Sequence, residues 1–192
     1  MSPKQLQLFQ TPQRSWQSQP PSLTLSPEAL QTWKRRVVGF QRQICQTLPV
    51  QQTSLLAEPD PWGNPDALNP FSLPVHASLF WRLVEPPKDM DLAQGCLYFI
   101  IDTAASLVLY IGETKLTPSK RWKGVHDAKS YIFNYIELHR SYGLDVCVNA
   151  AFYDRLPADK KVLRHWEREL IYRWRSPFNQ ECWQYWGQPF GK

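Results

Sequence analysis

Two apolar runs separated by five residues constrain this chain more than any other feature: Leu97-Tyr98-Phe99-Ile100-Ile101 and Leu107-Val108-Leu109-Tyr110-Ile111. Each has the aromatic and β-branched density of a strand, and Asp102-Thr103-Ala104-Ala105-Ser106 between them supplies the turn of a hairpin. A short helix is expected from Thr117-Pro118-Ser119 to about Gly124. A longer one is expected over Asp127 to Ser141, where Ile132, Tyr135, Ile136 and His139 recur near helical spacing before Tyr142-Gly143 stops it. Asp145 to Tyr153 alternates as a third strand, with Val146, Val148, Ala150 and Phe152 on one side and Cys147 and Ala151 on the other. Leu156-Pro157-Ala158-Asp159 leads into a helix to about Trp174, with Val162, Trp166, Leu170 and Trp174 lining one face. The expected fold class is α+β: a small antiparallel three-stranded sheet flanked by helices, in the order β-β-α-α-β-α, filling residues 95–192.

What precedes this domain has a different texture. Residues 1–25 are rich in Gln, Pro and Ser and poor in hydrophobes, so a disordered tail is expected. Residues 26–94 read as a helix plus a proline-rich extended arm. Ser26-Pro27-Glu28 opens the helix with a cap, a first-turn proline and an acid. Leu30, Trp33, Val37, Phe40 and Ile44 give it one apolar face, while Lys34, Arg35, Arg36 and Arg42 make the other side basic, read as a solvated face rather than a DNA grip. Eight prolines between residues 49 and 94 argue against long regular elements there, and Val75 to Val84 is the stretch expected to pack.

Charge and cysteine usage narrow the function classes. The net charge of +5 is uneven: from Gly95 onward there are 14 Lys and Arg against 10 Asp and Glu, but 8 against 7 before it. A basic folded half suits a polyanion partner, and nucleic acid, DNA favoured, is the expected one. Cys45, Cys96, Cys147 and Cys182 form no CxxC pair, so reduced thiols are expected rather than zinc ligands. No apolar run reaches spanning length and no apolar signal-peptide core is visible, so a cytoplasmic protein without a membrane segment is expected.

The hairpin and the final helix carry a set of residues in a telling order. Cys96-Leu97-Tyr98 lies on the first strand and Tyr110-Ile111-Gly112 on the second. Arg121 opens the following helix in Lys120-Arg121-Trp122, Glu167 lies in Glu167-Arg168-Glu169-Leu170-Ile171, and Asn179 ends Pro177-Phe178-Asn179. Residues 95–179 thereby resemble the GIY-YIG endonuclease family, whose members include an excision-repair incision subunit, homing endonucleases and some restriction enzymes. The resemblance covers slightly under half of the chain and rests on five elements in the right order on matching element types. This sequence departs from the pattern at Cys96, which stands for the first glycine, with Gly95 one place early. Arg121 comes eleven positions after Tyr110, one residue later than the pattern. His126 lies one step past the place where some members carry a histidine or tyrosine, and it reads as a surface or helix-linking histidine.

The resemblance implies a metal-dependent endonuclease that hydrolyses phosphodiester bonds, with Tyr98, Tyr110, Arg121, Glu167 and Asn179 at its site and one Mg²⁺ or Mn²⁺ on Glu167. The residue types suit that chemistry. A guanidinium on Arg121 can grip phosphate in bidentate fashion, and Glu167 is a hard oxygen ligand. Tyr98 is the favoured proton acceptor, with Tyr110 orienting water or substrate; a phenol titrates near ~10, so a neighbouring cation must lower it. Glu169 competes with Glu167 as the ligand, and the Glu-x-x-Leu-Ile register selects Glu167. Lys120, Lys123, Arg164 and Arg168 are the candidate nucleic-acid contacts. Without a helix-turn-helix or zinc finger, structure-selective or non-specific cutting is expected, as in DNA repair. The bland alternatives are buried strand tyrosines, a surface Glu167 paired with Arg164, and a catalytically inactive relative that binds nucleic acid or serves as an adaptor. Finally, Gln5-Leu6-Gln7-Leu8-Phe9 resembles the peptide by which bacterial repair and replication proteins dock onto the sliding clamp, with Gln5, Leu6, Leu8 and Phe9 as anchors.

Overall fold

The computed structural model describes residues 25–47, 62–76, 95–115 and 127–190. The tail up to residue 24, the short helix expected near 117–124 and much of the proline-rich arm therefore lie outside the described residues.

Four strands, β1 (Val75–His76), β2 (Gly95–Asp102), β3 (Leu107–Thr114) and β4 (Val148–Leu156), form one antiparallel sheet in the order β1-β4-β2-β3. The α-helices among the described residues are α1 (Pro27–Gln46), α2 (Asp127–Ser141), α3 (Lys160–Trp174) and the single turn α4 (Trp183–Trp186). The sheet thus has four strands where three were expected. Val75 and His76, just after Pro74, pair with Ala151 and Ala150 on the outer edge of β4. Two residues are too few to show alternation in a sequence, so the pairing is legible only once β4 offers its edge.

The third expected strand also moves, from Asp145–Tyr153 to Val148–Leu156. The residues before it are claimed by a side chain: the Cys147 N–H donates to Asp102 Oδ1 at 3.0 Å, while Thr103 N and Oγ1 reach Cys147 O at 2.7 and 3.0 Å. Asp102 is itself fully buried, bound at Oδ2 by Lys34 Nζ at 2.8 Å and by the Tyr135 hydroxyl at 2.7 Å. A buried carboxylate with four donors ties α1, α2, the hairpin turn and the entry to β4 together (the Ala104 N–H at 3.1 Å is the fourth).

Both faces of the sheet are covered, which is why β2 is apolar along most of its length instead of alternating. On one face Tyr98, Ile100, Leu107 and Leu109 pack with Leu30, Trp33 and Val37 of α1 and Ile132 and Tyr135 of α2. On the other, Leu97, Phe99, Ile101 and Ile111 meet Leu163, Trp166, Leu170 and Trp174 of α3. Each such fully buried aliphatic side chain stabilises the fold by about 1.5–3 kcal/mol. The buried stripe of α1 differs from the expected one in its last members: Gln41 is buried, and Phe40 and Ile44 lie at its flanks. Gln41 Nε2 donates to Val108 O and Trp174 O at 2.9 and 3.0 Å, and its Oε1 accepts the Val108 N–H at 2.8 Å. An amide is favoured there because the outer edge of β3 leaves Val108 without a strand partner on that side.

Candidate active site

The register of the hairpin positions the tyrosines. Tyr98 lies opposite Gly112 and Ile100 opposite Tyr110, so all four side-chain directions share the face covered by α1 and α2. The ladder then slips, with Ile101 opposite Val108, which leaves Leu109 as an extra residue in β3. Such a bulge turns neighbouring side chains the same way, and Leu109 and Tyr110 both join the Tyr98 side. The two phenol rings end 5.9 Å apart, tilted by 32°.

Gly112 makes this arrangement fit. A Cβ there would overlap Cζ and Oη of Tyr98 and come within 2.8 Å of its Cε1, so the hydroxyl end of the ring packs against the strand backbone. Gly95 has a matching task one strand over, where a Cβ would strike Leu163 of α3 and come within 2.8 Å of Pro157 O. The glycine one place early in the first signature is therefore required by packing. Cys96 beside it is a buried thiol, pushed up to about 12 by burial, then by Asp154, and it is no nucleophile.

Glu167 and Asn179 arrive from the other direction, onto the open edge of β3. Asp159 caps α3, accepting from Lys161 N and Val162 N at 2.7 and 3.0 Å, and this fixes the helix register. Trp166, Leu170 and Trp174 bury one stripe, which leaves Glu167 at its margin, where Oε1 accepts the Glu113 N–H at 3.1 Å. Glu169 is turned outward toward His165 and Arg168, at 3.8 and 3.6 Å. The helix ends at Arg175 in the left-handed conformation, and the chain then folds back along β3. Phe178 N donates to Leu109 O at 2.9 Å; Asn179 accepts from Ile111 N at 3.0 Å and donates to Ile111 O at 2.8 Å. Ser176 Oγ holds Asn179 Oδ1 at 2.6 Å. Asn179 thus acts as a strand mimic that braces the edge.

Four of the expected residues therefore meet around Ile111-Gly112-Glu113: Tyr98 and Tyr110 on one face, Glu167 and Asn179 along the edge. Arg121, Lys120, Lys123 and His126 lie outside the described residues, as do Gln5, Leu6, Leu8 and Phe9. Arg164 and Arg168 are exposed on α3, on either side of Glu167 in sequence. Exposure separates the tyrosines: the Tyr98 ring is 1% exposed, whereas Tyr110 is half-buried. The sequence favours Tyr98 as proton acceptor, and access to water favours Tyr110. Gly112 and Ser176 are the contributors that motif reasoning left without a role; their partners are brought to them only by folding.

Among the described residues no three His, Cys, Asp or Glu side chains gather as a cation cage. The donor at hand is the Glu167 carboxylate, a hard oxygen ligand of the kind that holds a cation keeping most of its waters, as Mg²⁺ does. No family model matches this chain, and no curated protein or solved structure is significantly similar to it. No described helix is long and apolar enough to cross a membrane.

Proposed function

We propose that residues 95–179 form a GIY-YIG-like endonuclease site that hydrolyses nucleic-acid phosphodiesters, DNA foremost, with structure-selective or no sequence preference. The observation that carries this reading is the meeting of Tyr98, Tyr110, Glu167 and Asn179 on one short segment of β3, although the last two lie far away in sequence. In this reading Arg121 grips the phosphate and neutralises the charge that grows on its oxygens. A tyrosine phenolate takes the proton of the attacking water as a P–O bond forms and the bond to the leaving oxygen breaks. Glu167 would hold one Mg²⁺ or Mn²⁺, which supplies Lewis-acid stabilisation of the phosphate and leaving group. Lys120, Lys123, Arg164 and Arg168 would carry the backbone of the substrate. The N-terminal peptide would recruit the enzyme to a sliding clamp, raising its local concentration on DNA.

The test is a cleavage panel of single-stranded, duplex and branched DNA and of RNA, with Mg²⁺ and Mn²⁺. Glu167→Ala is expected to abolish cleavage and leave substrate binding intact. Tyr98→Phe and Tyr110→Phe divide the tyrosine roles, the larger loss in turnover marking the proton acceptor. Failure of the intact chain to cut any of these substrates overturns the enzymatic reading. A second reading, a relative that binds nucleic acid without cutting it, is favoured by the burial of the Tyr98 ring, and binding by the full chain without cleavage is its signature.

A further inference from the structure

A cavity of about 510 Å³ opens between the outer face of α1 and the β2–β3 turn, away from the site at Gly112. Gln31, Arg35, Val38 and Arg42 line it from the helix, and Ala104 and Ala105 from the turn. The four helical residues recur at helical spacing, so they form a stripe parallel to the buried one of Leu30, Trp33, Val37 and Gln41. Lys34 also borders the space, but its ammonium is taken up by Asp102 Oδ2, His139 Nε2 and Asp145 O at 2.8, 3.3 and 3.2 Å. Among the described residues, Arg35 and Arg42 form no ion pair. Arg35 is steadied on its own helix by Gln31 O and Thr32 Oγ1, at 3.4 and 3.2 Å. Among the described residues, no acidic side chain lines the cavity. Its floor, Val38, Gly39 and the two alanines, is apolar and carries no bulky side chain.

We propose that this cavity is a second nucleic-acid contact, where Arg35 and Arg42 each hold a backbone phosphate while a sugar or base rests on the Val38–Gly39 and Ala104–Ala105 floor. The two arginines are seven residues apart, roughly 10 Å along the helix axis, a span that reaches from one phosphate to the next but one along a strand. The charge is not a solvated face at large, because it borders a concavity whose neutral rim comes from a different element. The site lies on the face of the sheet that carries Tyr98 and Tyr110. Ala105 and Gly112 are seven positions apart along the turn and β3, which puts the contact at most roughly 24 Å from the proposed cleavage site, about seven base steps along a duplex. This register rests on the nuclease reading; the contact itself does not.

The test keeps the two apart by measuring binding in EDTA, where no metal-dependent cleavage occurs. The probe is a fluorescein-labelled 30-base-pair DNA duplex, titrated with the full chain at several salt concentrations. Arg35→Gln/Arg42→Gln is expected to weaken binding at least tenfold and to flatten the slope of log Kd against log salt by about two. Gly39→Glu is the independent variant. Nothing lies within 4 Å of its new Cβ, and glutamate is the better helix former, so the fold tolerates it while a carboxylate enters the cavity. It is expected to weaken binding by a similar factor with an unchanged melting temperature. Arg140→Gln, exposed on α2 and paired with Glu137 at 3.4 Å, is the control for charge alone. Wild-type affinity in both cavity variants, or an equal loss in Arg140→Gln, overturns the proposal. If the cavity variants lose binding and the wild type cuts nothing, the contact stands and the nuclease reading falls.

Discussion

Replacing Gly112 by alanine tests the packing on which the tyrosine pair depends. Its φ is not in the left-handed region, so backbone strain does not enter and the effect is steric. The new Cβ would overlap Cζ and Oη of Tyr98 and stand 2.8 Å from Cε1, and that ring is 1% exposed. The ring cannot swing into water without losing its burial, so the strand or the ring must shift inside a filled core. Overpacking of this kind costs about 1–3 kcal/mol. For a chain of this size each kcal/mol lowers the melting temperature by roughly 2–4 °C, so Gly112→Ala is expected to lower it by roughly 2–12 °C. The same substitution should reverse sign in a Tyr98→Leu background. Leucine lacks the three atoms that collide, and the remaining effect is the lower entropy of the unfolded chain, which favours alanine by about 0.4–1 kcal/mol. Denaturant unfolding of the four chains, wild type, both single variants and the double, gives the coupling energy, expected to exceed ~1 kcal/mol. An equal cost of Gly112→Ala in both backgrounds refutes the reasoning, because the strain would then lie somewhere other than the Tyr98 ring.

Three further outcomes are expected. Arg121→Lys keeps the charge but loses the planar fork, so turnover should fall by one or more orders of magnitude at unchanged melting temperature; full activity would mean that the phosphate is gripped elsewhere, with Lys120 the first candidate. His139 is fully buried, with Nδ1 2.7 Å from Tyr135 O and Nε2 3.3 Å from Lys34, and burial foremost holds its pKa below the usual value. As pH falls below ~6.5 the unfolded chain takes the proton that the folded one resists, so stability should decline over that window. Urea unfolding at pH 7.5 and 5.5 should show a smaller decline in His139→Gln, and an identical decline counts against the assignment. A peptide of residues 1–15 should bind a bacterial sliding clamp more tightly than its Leu8→Ala/Phe9→Ala version; equal binding, or none from either at tens of micromolar, removes the docking idea.

Features that depend on neighbours in the chain were legible in the order of residues. The hairpin follows from two apolar runs around a polar turn, and α2 and most of the apolar stripe of α3 follow from their periodicity, with Leu163 buried where Val162 was expected. Ser26 and Asp159 cap helices because a side-chain oxygen reaches N–H groups two or three residues away. The order of tyrosines, glutamate and asparagine was legible for the same reason. Which partners distant residues find emerges only when the elements pack. Asn179 reaches Ile111 across 68 positions, and Gln41 reaches Val108 across 67, because β3 is an edge whose backbone groups must be paired by whatever folds against them. Asp102 reads as a turn residue, yet it is the buried acceptor for Lys34 and Tyr135, and by taking the Cys147 N–H it sets where β4 begins. The fourth strand exists only because β4 leaves an edge open to Val75 and His76. Local periodicity encodes which residues turn inward; what meets them there depends on long-range packing, which no short window of sequence contains.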